Sequence, residues 1–162
     1  MKFTAPLICL AVVIASCGGK STDKKSSSPT EKSSASGLNK EGTQAGHVVK
    51  VTKVEDYVPA DGTKVPEGMK LVAIQVEYYN PSADRPMDVD PFEWTGWTNE
   101  DNGHAHSEAV RQKEPALKDG SVAPGARLSG WVTFQIPTNT TLARVEYDND
   151  LTEEKALEFD VE

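Results

Sequence analysis

Three kinds of side chain in this sequence could do chemistry. His104-Ala105-His106 is the first. Residues two apart on an extended strand project from the same face, so both imidazoles could reach one metal ion. Asp101, Glu108 or His47 would have to supply a third ligand. The second kind is acidic: Asp84, Asp88 and Asp90, then Asp148, Asp150, Glu153 and Glu154. Neither run has the twelve-residue loop with central Gly and terminal Glu that marks a calcium hand, so both are expected to be solvated loops. The third kind is aromatic. Trp94, Trp97 and Trp131 form a possible binding surface, because exposed tryptophan is enriched where proteins bind partners. If the strand starts at Phe92, Trp94 shares its face and Trp97 points the other way. Trp131 is out of phase with Leu128, Val132, Phe134 and Ile136, which puts its indole off the main core face. Nucleophilic catalysis finds no signature: there is no Gly-x-Ser-x-Gly elbow, no glycine-rich phosphate loop and no Ser-x-x-Lys in the folded part. The expectation is a binding protein, not an enzyme, with no cofactor.

Cys17 has a different chemistry. Met1-Lys2 is a minimal basic start, and Leu7 to Ile14 is a short apolar run that ends in small residues. From Phe3 to Ala15 the apolar stretch is about thirteen residues, whereas a spanning helix needs roughly 20. The segment therefore reads as an export signal and not as an element of the fold. Ile14-Ala15-Ser16-Cys17 resembles the lipobox of bacterial lipoproteins. The resemblance implies cleavage after Ser16 and a diacylglyceryl thioether on Cys17, so residues 1–16 form the signal. Two acyl chains matter, because one alone gives only reversible membrane attachment. With Cys9 removed and Cys17 blocked, no thiol remains for redox or nucleophilic work.

Residues 17–46 continue as a lipidated cysteine and a Ser-, Lys- and Gly-rich stretch with few apolar side chains. Such composition cannot offset its ordering entropy, so a disordered tether is expected. As a flexible coil it would reach roughly 30 Å. It carries a small positive charge, whereas residues 47–162 hold 11 basic and 22 acidic groups, a net of −11. An acidic domain argues against nucleic acid as a partner.

The elements that must position these residues are strands. Between residues 47 and 162 no helical periodicity is sustained, while several runs alternate with period two between Pro, Gly, Asn and Asp. Val48 to Val54 is β-branched. Lys70 to Tyr79 places Val72, Ile74, Val76 and Tyr78 on one face, and Asn80-Pro81 ends it. Phe92–Thr98 and residues 104–110 flank Asp101-Asn102-Gly103 as a hairpin. Arg127 to Ile136 follows Pro124-Gly125, and Leu142 to Tyr147 and Lys155 to Val161 complete the set. About seven antiparallel strands in one domain predict an all-β, immunoglobulin-like sandwich spanning 47–162.

Leu71 to Asn80, an apolar strand ending in Asn, resembles the corresponding strand of bacterial DUF4352-type domains. So does the later stretch with Pro124-Gly125, Gly130-Trp131-Val132, Phe134 and Ile136-Pro137. The resemblance covers most of residues 47–147. It implies an immunoglobulin-like sandwich like that of secreted mycobacterial immunogenic proteins, usually behind a lipoprotein signal in Gram-positive bacteria, with no catalytic positions to carry over. Together these features predict a surface lipoprotein on the extracytoplasmic face of the membrane. Its partner would be an envelope or extracellular protein or a wall polymer. Two alternatives stand beside it: a metal or small-ligand site at His104 and His106, and a glycan-binding accessory using exposed Trp.

Overall fold

Alternation sets the architecture. In the computed structural model, which describes residues 37–149 and 151–162, Val72, Ile74, Val76 and Tyr78 all lie buried, as do Val132, Phe134 and Ile136. The described residues hold ten strands: β1 (Glu41–Gln44), β2 (His47–Tyr57), β3 (Met69–Tyr79), β4 (Met87–Val89), β5 (Trp94–Thr98), β6 (Gly103–Ala105), β7 (Gly120–Val122), β8 (Arg127–Pro137), β9 (Leu142–Tyr147) and β10 (Leu157–Asp160). They form one sheet in the order β1-β2-β3-β8, a second in the order β10-β9-β5-β6, and a two-stranded β4-β7 ribbon. All named strand pairs are antiparallel. The inner faces of the two large sheets meet in a single core, so the domain is a β-sandwich.

The core centre is aromatic. Trp94 of β5 donates its indole N–H to the Tyr78 hydroxyl of β3 at 2.7 Å, a buried bond that joins the two sheets. Tyr147 packs edge-on to Tyr78 and tilted against Trp94, with ring centroids 5.9 and 5.1 Å apart. Phe159 closes the group on the other side of Trp94. Burial pushes the Tyr78 and Tyr147 hydroxyls well above their ordinary pKa, so both stay neutral donors and acceptors.

Three boundaries differ from those expected. The ordered domain starts before residue 47: β1 pairs with β2 from Glu41↔Lys50 to Gln44↔His47, inside the segment read as tether. Composition hid it because its inward residues are Gly42 and Gln44, which carry no apolar signal. Phe92 does not share a strand face with Trp94. Asp90 accepts from the Phe92 amide at 2.8 Å and starts a 3₁₀ turn at Pro91–Glu93, so extended structure begins only at Trp94. The hairpin partner of β5 is also short. β6 ends at Ala105, and residues after it leave the sheet. The strand count exceeds seven through β1 and the three-residue strands β4 and β7.

Asn80 ends β3 as expected, but with more distant partners than a local turn. Its side chain donates to the Arg85 and Val122 carbonyls at 2.8 and 2.9 Å and accepts from the Ser82 amide. Its main chain bonds Gly125 and Ala126, fixing the entry to β8.

Candidate functional site

The long connection from β6 to β7 leaves the sheet because its polar groups bond elsewhere. Gln112 folds the segment around itself, donating to the Ser107 and Val110 carbonyls and accepting from the Thr133 amide at 3.1 Å. Lys113 N–H donates to the Thr133 hydroxyl. Trp131 N–H then donates to Pro115 O, and Leu117 N–H to Trp131 O, at 2.9 and 2.8 Å. Residues 112–117 thus cover the edge of β8 that β3 leaves open, a common protection against unwanted strand pairing. The approach is close enough to require Gly130: a Cβ there would lie 2.7 Å from the Leu117 main chain.

This loop, together with the Pro91–Glu93 turn and Thr63, encloses a groove of about 480 Å³, within the range of small-ligand sites. Phe92 stands at it with 53 % of its surface exposed. Its ring contacts His106 edge-to-face at 5.1 Å. His106 is only 6 % exposed, and its buried Nδ1 has no hydrogen-bond partner among the described residues. Burial lowers the imidazole pKa, with Asp90 and Glu108 opposing, so the ring is neutral at pH 7. Arg111 lines the groove but is tied to Asp61 at 3.0 Å. Asp61 is itself held below its usual pKa, first by the Thr63 hydroxyl, which donates at 2.7 Å, and also by Arg111.

The residues singled out from the sequence scatter. Trp94 is fully buried in the core, which corrects its assignment to a binding surface. Trp131 lies off the main core face, as its phase requires, but is 6 % exposed. Lys113 Nζ sits 3.6 Å from its ring centroid and Lys53 5.6 Å, with Glu55 paired to both lysines. Its indole is therefore covered. Trp97 is half-buried on the outer face of the β5-containing sheet, flanked by Gly103 and the Arg144 guanidinium, which stacks at 4.5 Å and pairs with Asp101. Glu146 on the same face has its pKa raised, chiefly by burial and then by Asp148 and Glu158.

His104 is half-buried, and its Nε2, like Nδ1 of His106, is buried without a hydrogen-bond partner among the described residues. No three His, Cys, Asp or Glu side chains converge on a metal position among the described residues. His47, proposed as a third ligand, is engaged elsewhere: its Nδ1 faces the Tyr147 hydroxyl at 2.8 Å and Asn149 at 3.4 Å. Asp88 and Asp90 border a separate acidic cleft with Glu93, Asp119 and Asn149. Ile14, Ala15, Ser16, Cys17 and Asp150 lie outside the described residues.

Sequence comparison decides the family. The model for a domain of unknown function, DUF4352, matches residues 36–157. The chain belongs to the DUF4352 family. The match begins ahead of β1, in agreement with an ordered start before residue 47. Solved structures with the same fold include the Bacillus subtilis yjhA protein, at 13 % identity and TM-score 0.58, covering 78 % of this chain and 99 % of that one. MPT63, a secreted protein from Mycobacterium tuberculosis, is similar at 13 % identity and TM-score 0.59, covering 76 % and 94 %. A Bacillus subtilis protein named as a candidate lipoprotein, ycdA, is similar at 15 % identity and TM-score 0.53. The match covers 74 % of this chain but 38 % of ycdA. No curated protein sequence matches the chain.

Proposed function

We propose that this DUF4352 protein is a cell-envelope lipoprotein whose sandwich is a non-catalytic binding module, and that the groove beside Phe92 is its binding surface. Anchoring would run through a diacylglyceryl group on Cys17, displaying the domain on the extracytoplasmic face. Ile14-Ala15-Ser16-Cys17 supports that half of the reading, and a secreted protein and a candidate lipoprotein among the proteins of like fold agree with it. The single observation that carries the binding half is an exposed aromatic ring packed over a buried imidazole with an unused nitrogen. A buried unbonded polar atom costs stability, and an exposed aromatic ring is the kind of side chain that anchors a partner.

Metabolic labelling with an alkyne fatty acid should tag the wild-type chain and not Cys17→Ala, and protease added to intact cells should cleave the tagged product. A photocrosslinker placed at Val110 should then capture a discrete partner on intact cells, and Phe92→Ala should abolish the capture. An untagged product sinks the anchor, and capture indifferent to Phe92 sinks the groove.

The metal reading keeps one observation in its favour, the unbonded nitrogens of His104 and His106. Calorimetry with zinc and copper(II) tests it. Heat that is absent from a His104→Ala/His106→Ala variant supports a site, and equal heat removes it.

A further inference from the structure

Resting on the binding reading of the groove, we propose that its occupant is an extended basic peptide, with an apolar side chain seated against Phe92 and a cationic one among the rim carboxylates. The floor supplies the apolar part of the argument: Pro91, Val110, Ala116 and Leu117 line it beside the Phe92 ring. Charge supplies the sign. Glu108, Glu114 and Asp119 line the groove against Arg111 and Lys118. Arg111 is already neutralised by Asp61, and Asp90, whose carboxylate is near enough to act on His106, adds a further negative charge. The rim is therefore net negative, on a domain that is itself acidic. A neutral His106 puts no opposing charge beneath an incoming cation.

Shape favours a chain over a compact amine. Two further clefts adjoin the groove. One of about 160 Å³ shares Thr63, Ala109, Val110 and Arg111 with it. Another of about 440 Å³ shares Glu114 and Ala116 through Asp119. They follow the loop from residue 109 to 121, and an extended peptide advances about 3.3 Å per residue along such a track.

The test uses the full chain in detergent micelles and two labelled probes, Lys-Phe-Lys-Val-Lys and Glu-Phe-Glu-Val-Glu, read by fluorescence anisotropy. The basic peptide should bind, more weakly as salt is raised, and the acidic one should not. Phe92→Ala should weaken binding about tenfold, the usual order for losing an aromatic anchor, while Leu151→Ala, an exposed leucine elsewhere, should leave it unchanged. Butylamine should fail to compete. Equal binding of both probes overturns the charge assignment and leaves the groove standing as a binding surface. Basic-peptide binding that survives Phe92→Ala overturns both. Competition by butylamine at the peptide's own concentration overturns the peptide in favour of a simple amine. Absence of binding by either probe overturns the proposal, and the Val110 crosslink then judges the broader reading by itself.

Discussion

Half-buried His47 and buried His106 sit in regions that treat their polar groups in opposite ways. At the β1–β2 hairpin the buried polar side chains find partners among the described residues. Gln44, 1 % exposed, accepts from the Asn149 amide at 2.9 Å and donates to the Lys155 carbonyl at 3.0 Å. The Ala45 amide donates to Glu154, and His47 meets Tyr147 and Asn149. Together these bonds latch the first hairpin to Tyr147, Asn149, Glu154 and Lys155. At the groove, His106 is 6 % exposed but leaves a nitrogen unmatched, and the ring beside it is exposed. Folding selects for the first arrangement, since an unsatisfied buried polar atom costs about 1–3 kcal/mol. On the proposed binding role of the groove, the second persists because a ligand completes it.

That contrast breaks most clearly at Gln44. Gln44→Ala should cost about 3 kcal/mol, because it strands the Asn149 amide and the Lys155 carbonyl together. Urea denaturation should show a lower midpoint with little change in slope. His106→Leu, of similar size, should by contrast cost only about 1 kcal/mol, since it removes an unmatched Nδ1 together with a single ring bond to the Thr133 main chain. If both variants lose equally, the two histidine regions are not different in kind.

Gly130→Ala comes next. Its Cβ would press on the Leu117 main chain, and overpacking of this sort costs about 1–3 kcal/mol. The damage should concentrate where residues 112–117 pair with β8. Hydrogen exchange should speed up at the Trp131 and Leu117 amides and leave Asn149 protected, separating loop docking from the hairpin latch.

How much of this was legible in the sequence depends on where each signal is stored. In β3 from Val72 to Tyr78 and in β8 from Val132 to Ile136 the alternating apolar residues are those that reach the core, so local pattern and tertiary burial agree there. Leu128 at the start of β8 is instead exposed, and β9 breaks its alternation between Leu142 and Val145. β1 was not legible because its inward side chains are Gly42 and Gln44, and its place is specified by bonds to residues more than one hundred positions away. The 106–119 loop escaped for the same reason: Gln112, Thr133 and Trp131 define it through hydrogen bonds that no spacing announces. The phase of Trp131 was readable, but its cover of Lys113 and Lys53 was not. His104 and His106 were found as a pair, yet their unbonded nitrogens are visible only in three dimensions. Phe92 was misplaced because a capped turn interrupts the strand that its neighbours suggest.

A smaller effect should appear with pH. His47 and His106 both have lowered pKa values, chiefly through burial. The unfolded chain therefore binds protons more readily than the folded one below the ordinary histidine value of about 6.5. Their contribution to stability is complete above that pH and is lost as pH falls through the folded values. Glu146 acts with opposite sign: its raised pKa means that protonation favours the folded state as pH falls toward the folded value and below. Separating them takes variants. The fall in unfolding free energy from pH 7 to 5.5 should shrink in His47→Gln and in His106→Gln, and Glu146→Gln should raise Tm at pH 7. An unchanged slope in both histidine variants would remove titration from the comparison.

The smallest expected effect is also the sharpest. Phe92 is large, apolar and exposed, and its amide, not its ring, makes the bond to Asp90 that shapes the turn. Phe92→Ala keeps that amide and buries nothing new, so stability should move by no more than about 0.5 kcal/mol, as for surface changes generally. A core phenylalanine truncated in the same way costs about 3–5 kcal/mol, and Phe134, with no exposed surface, provides that internal standard. A near-silent Phe92→Ala in thermal denaturation, with loss of capture on cells, would mean that the ring is kept at the surface for what it touches outside the molecule. A loss of stability approaching that of Phe134→Ala would mean that Phe92 is part of the core after all, and the difference between groove and latch would disappear with it.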